Sequence, residues 1–168
     1  LARVAELHVA ALTGLQVPPQ GIEPVTRSAW AERTLQDHRR YVEVLGDSLE
    51  PAVADPATPD PDDPMGFMAP LMRLAAPMML GLSAGSMVGH LAKRSFGQYD
   101  LPVPREGTVM VIPANIDAFA EEWSLEPDDL RLWVCLHELT FHTVFAVPHV
   151  RRRLEDLVLS YLAAFDAA

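Results

Sequence analysis

The spacing of apolar residues divides the chain into helices and little else. Val4, Leu7, Ala11 and Leu12 recur at helical intervals ahead of Gly14, which predicts an amphipathic helix over 1–14 with those side chains on its inner face. Residues 16–24 carry Pro18, Pro19, Gly21 and Pro24 and read as a connector. Thr26 or Ser28 can cap a second helix, whose apolar positions Trp30, Leu35, Tyr41 and Val44 lead to a stop at Gly46. Pro51 to Pro64 holds five prolines and four aspartates with almost nothing to bury, so a mobile loop is expected there.

Met65 to Leu91 is apolar apart from Arg73, and Leu74 to Leu91 is 18 residues without a fixed charge. That is the lower limit for a membrane span. Pro77, Ser83, Ser86, His90 and the glycines at 81, 85 and 89 make the run only mildly apolar, so it predicts a buried central helix with a close-packed glycine face. Val109 to Ile112 predicts a strand, and Ile116 to Trp123 a short helix. The next helix, capped by Ser124 or the Pro127-Asp128-Asp129 group, continues to about Phe145. A last helix over 150–165 should turn Leu154, Leu157, Val158, Tyr161 and Leu162 inward. The fold class is mainly α, with one or two short strands in a single domain over 1–168.

Composition narrows the field. A formal charge of −10 on 168 residues argues against a nucleic-acid partner, which would need a clustered basic face. The one basic run, Arg151-Arg152-Arg153, reads as a solvated helix face. A single cysteine, Cys135, excludes an internal disulfide and fits a reducing, cytoplasmic setting. It lies in the apolar run Leu132 to Leu136, where a small core residue is expected and not a nucleophile.

The chemistry sits at His137-Glu138-Leu139-Thr140-Phe141-His142, one residue away from the H-E-x-x-H signature. In that signature two histidines four positions apart bind Zn²⁺ and the glutamate activates the metal-bound water. Residues four apart on an α-helix lie about 40° apart, and residues five apart about 140°. His137 and His142 can therefore share one metal only if a π-bulge intervenes, as bulges at functional sites can. On a regular helix Phe141 stands in the second ligand's place and His142 faces elsewhere. The run also resembles the His-Glu-Leu-Leu-Gly-His motif of dipeptidyl peptidase III, a zinc enzyme with the longer spacing.

The wider sequence resembles the zincin-like proposed hydrolases of actinobacteria, a family that includes proteins associated with coenzyme F420 biosynthesis. The likeness runs through Ala11-Leu12-Thr13-Gly14-Leu15, residues 25–30, Gly97-Gln98-Tyr99-Asp100-Leu101-Pro102 and residues 111–116. It is densest over Leu132 to Thr140 and recurs in Phe145-Ala146-Val147-Pro148. It implies a zincin-like helical domain, a Zn²⁺ cofactor, His137 as a ligand and Glu138 as general base. The family pattern has a histidine directly after the Thr of the motif, where this chain has Phe141. His142 as second ligand is an inference from spacing. Family members also extend past the equivalent of Ala168, so the chain is read as a fragment lacking the C-terminal part. That part carries a Leu-Glu-Gly-His type segment, the natural source of a third ligand. Within this chain, a last helix folding back antiparallel to the histidine helix would bring Glu155 or Asp156 near His137 as a substitute.

Two functions follow from these residues. In a zinc metallopeptidase, His137, His142 and an acidic residue hold Zn²⁺, and Glu138 passes a proton from water to the leaving amine of a peptide or small-molecule substrate. In the alternative, a helical binding or scaffold protein has kept the fold and lost the metal. Neither involves a membrane or nucleic acid, and both leave oligomerisation open.

Overall fold

The computed structural model describes residues 1–19, 21–54 and 68–164. Among these, seven helices accompany one short two-stranded sheet: α1 (Ala2–Thr13), β1 (Ile22–Pro24), α2 (Arg27–Asp37), α3 (Arg39–Ala54), α4 (Met68–Leu91), β2 (Val109–Val111), α5 (Pro113–Glu122), α6 (Pro127–Phe145) and α7 (Pro148–Ala163). The mainly α fold class expected from the sequence holds.

β2 is the axis of the core. It pairs in parallel with β1, Ile22 opposite Val109 and Pro24 opposite Val111, so the connector expected over 16–24 ends in a strand. Side chains alternate across a strand, and here both faces are covered. Val109 packs with Ala5, Val9, Cys135 and Leu139 of α1 and α6, and Val111 with Ile116 and Val134 of α5 and α6. Met110 and the following Ile112 meet Trp30, Val88 and Ala92 on the other side. Cys135 is the core residue its apolar run predicted. Asn115 ties the two sides together: its Oδ1 accepts from Arg27 Nε at 2.6 Å, and its Nδ2 donates to the carbonyls of Ala92 and Ser95.

α2 begins as expected, with Thr26 Oγ1 accepting the Ala29 N–H. The helix does not continue to Leu45. It breaks at His38, whose N–H and ring Nδ1 both turn back to the Thr34 carbonyl. α3 then runs straight through Gly46 to Ala54. Gly46 is used for close approach and not as a stop, since a Cβ there would lie 3.3 Å from Leu80 of α4. The first residues of the Pro/Asp-rich stretch thus belong to α3, and the remainder of the loop expected over 51–64 lies outside the described residues.

Three faces are turned differently from the sequence expectation. α1 buries Ala5 and Val9 and leaves Leu7 and Leu12 exposed at 73% and 84%. Small side chains let α1 lie close on α6, and the larger ones are left outside. α4 is not a buried central helix: Met78, Met79, Leu82 and Met87 are exposed, and among the described residues no atom of a packed neighbour comes within 4 Å of a Cβ built at Gly81, Gly85 or Gly89. It packs chiefly on α2 and α3. None of the described helices is long and apolar enough to cross a membrane. α7 packs chiefly on α3 and leaves Leu157 and Tyr161 in solvent.

The α1 orientation has a measurable consequence. Val9→Ala should lower stability by about 2 kcal/mol, as a core truncation does. Leu12→Ala should stay within about 0.5 kcal/mol, as an exposed change does. Urea unfolding midpoints of the two variants check this, and the opposite order would mean that the large apolar residues are the buried ones.

Candidate functional site

α6 carries the histidines and is α-helical throughout from Pro127 to Phe145. Pro127 at the first position and Asp128 and Asp129 in the first turn suit its N-terminus. There is no π-bulge between Glu138 and His142. His137 and His142 consequently point to different sides of the helix, as a five-residue separation requires.

Glu138 faces inward and is 1% exposed. Its Oε2 accepts the backbone N–H groups of Gln98 and Tyr99 at 2.8 and 2.9 Å, and its Oε1 lies 3.3 Å from His137 Nδ1. The segment 96–100 is shaped to deliver those amides. Asp100 Oδ2 accepts the N–H groups of Phe96 and Gly97, Trp30 Nε1 donates to the Gly97 carbonyl at 2.8 Å, and Ile112 N–H donates to the Phe96 carbonyl. Gly97 is pressed onto Glu138, so that a Cβ there would fall 2.6 Å from Oε1. Burial pushes the Glu138 carboxyl up, while the hydrogen bonds from His137 and Tyr99 N–H pull it back. The hydrogen bond to Glu138 also raises His137, against a smaller opposing effect of burial.

His142 is buried, with Nδ1 2.7 Å from the Tyr99 hydroxyl. Burial lowers His142 and pushes the Tyr99 phenol up to about 12. Both shifts favour a neutral imidazole that accepts from a protonated phenol. Phe141 occupies the position four after His137. Its ring centroid is 4.8 Å from that of His137, and it stacks on Tyr99 at 6.0 Å. Trp133, 54% exposed, stacks on the other side of His137 at 5.3 Å. An aromatic stripe, Trp133–His137–Phe141–Phe145, thus runs along the helix at four-residue spacing.

Of the residues singled out from the sequence, the structure brings His137 and Glu138 together and turns His142 away from His137, one turn beyond Glu138 on the face where both meet Tyr99. Glu155 and Asp156 are on α7, which lies mainly along α3, where burial and, after it, the Glu155 charge raise Tyr41. Neither joins His137: among the described residues no three His, Cys, Asp or Glu side chains converge to hold a metal ion. A catalytic zinc site takes three protein ligands and a water, and the residues present do not form that set. Sequence reasoning missed Gln98 and Tyr99 as partners of Glu138 and His142. Their one signal was the family likeness over Gly97 to Pro102.

A family model described as zincin-like metallopeptidase matches residues 1–168. Among solved structures, the chain is similar to a proposed hydrolase with a novel fold from Chloroflexus aurantiacus, at 24% identity and a TM-score of 0.63. The match covers 97% of this chain and 48% of that one, so the chain spans about half the length of the solved protein. No curated protein matches the sequence.

The contact between Gly97 and Glu138 is testable by a double-mutant cycle. Gly97→Ala should cost about 2 kcal/mol through overpacking. In a Glu138→Ala background the same change should cost at least about 1 kcal/mol less, because the group it collides with is gone. Equal costs in the two backgrounds would show that the loop does not rest on the carboxylate.

Proposed function

Because the chain belongs to the zincin-like metallopeptidase family, we propose that it is a metallohydrolase-type domain that works without catalytic zinc, as a helical binding or scaffold module. The observation that carries this is Phe141, which fills the second-ligand position beside His137 while His142, one residue later, is engaged by Tyr99. The state of Glu138 supports the same conclusion. A general base must reach the proton it abstracts. Here one carboxylate oxygen is occupied by two amides, the whole group is buried behind Gly97, and freeing it would release the 96–100 loop. Glu138 acts as an anchor. What α6 presents outward is Trp133 stacked on a partly exposed His137.

A second reading, a zinc-dependent peptidase, is favoured by the family and by the 30% exposure of the His137 side chain beside Glu138. Zinc held by His137, His142 and either Glu155 or Asp156 would require α6 to take up a bulge and α7 to leave α3. The narrower kinship with actinobacterial proteins associated with coenzyme F420 biosynthesis, and a cytoplasmic location, are further parts of the proposal that rest on the sequence alone.

Elemental analysis decides between the two. Purified protein should hold far less than one zinc per chain after incubation with excess metal and gel filtration. Phe141→His, which places a second imidazole four residues after His137, should gain zinc binding that His137→Ala then removes. Near-stoichiometric zinc in the unaltered protein, lost in His137→Ala, would restore the peptidase reading.

A further inference from the structure

Away from α6, the fold buries an arginine and gives it too few acceptors. Arg105 follows the 96–100 loop, and its side chain is 1% exposed. Nη2 donates to Thr34 Oγ1 at 3.1 Å and lies 3.4 Å from His38 Nδ1. Nε and Nη1 are buried with no hydrogen-bond partner among the described residues, and so is His38 Nε2. The nearest carboxylate, Asp37, stands 3.6 Å from Nη1, too far for a good hydrogen bond, and is itself 43% exposed. On the remaining side the guanidinium lies 6.0 Å from the centre of the Trp30 ring. A buried cation is normally paired and its donors satisfied. Buried polar atoms that lack protein partners are often the places where an ion or a water binds.

We propose that Arg105 is the core of a small-anion site, in which Nε and Nη1 donate to a halide or to one oxygen of a small carboxylate or phosphate. The site spans α2, the turn at His38 and the segment after the 96–100 loop, so an anion there adds to the Arg105–Thr34 hydrogen bond and the 3.6 Å Arg105–Asp37 pair that join them. This inference is independent of whether zinc binds to α6.

Thermal unfolding in chloride, acetate or phosphate, each compared with gluconate at constant ionic strength, tests it. At least one of the three anions should raise Tm saturably by about 2–4 °C, as ligand binding to the folded state does. A response to acetate or phosphate but not chloride identifies an oxyanion, and the reverse a halide. Arg105→Lys should abolish the saturable part, while Arg131→Lys, at an exposed ion-paired arginine on α6, should leave it unchanged. If Arg105→Lys does not fold, quenching by iodide in a Trp123→Phe/Trp133→Phe background, with competition from the stabilising anion, reads the same site through Trp30, since the two tryptophans removed are the exposed ones. Identical Tm values in all four salts, or a saturable shift that survives Arg105→Lys, would overturn the proposal.

Discussion

The structure depends on one buried carboxylate. Placing Glu138 in the core carries a large desolvation cost unless its oxygens are hydrogen-bonded, and the chain meets that requirement with the backbone of residues 98 and 99. Everything nearby follows from bringing those two amides to α6. Gly97 must lack a side chain to let the loop approach. Asp100 turns the loop back on itself. Gln98 accepts the Met110 N–H of β2, and Tyr99 reaches His142 one turn further along the helix. Trp30 of α2 closes over the Gly97 carbonyl. A single acceptor thus links α2, β2 and α6 across the centre of the fold.

Helical phase explains why the same residues do not make a metal centre. A step of one residue is a rotation of about 100°, so moving a histidine from position 141 to 142 takes it from the face of His137 to the buried face of Glu138, where it meets the Tyr99 hydroxyl. Phe141 then completes an aromatic stripe in which Trp133 and His137 stack, His137 and Phe141 meet at a tilt, and Phe141 and Phe145 meet edge to face. Aromatic pairs of this kind stabilise the helix face through apolar contact, whereas a metal site would require polar ligands and access to water.

The layering around β2 accounts for the exposed apolar surface. The strand is covered on both sides by α1, α5 and α6 and by α2 and α4, and once those contacts are made the outer faces of α1, α4 and α7 have no partner among the described residues. The solved protein from Chloroflexus aurantiacus, a proposed hydrolase of similar fold, has a chain about twice as long as this one.

The sequence by itself determined the helical class, the strand at Val109, the end of α6 near Phe145 and the core role of Cys135, and it narrowed the cap of α2 to Thr26 or Ser28, because each follows from local periodicity or capping chemistry. It also located His137 and Glu138 as neighbours, since adjacency is covalent. It did not determine which face of α1, α4 or α7 is buried: apolar residues lie on more than one side of each, and the neighbouring helices choose. Gly46 shows the same limit, because a helix stop and a close crossing call for the same residue and only Leu80 opposite distinguishes them. The role of Glu138 was beyond local inference as well. Its partners lie 39 and 40 residues away in the chain, and whether a carboxylate activates water or anchors a loop depends on which donors the tertiary fold brings to it.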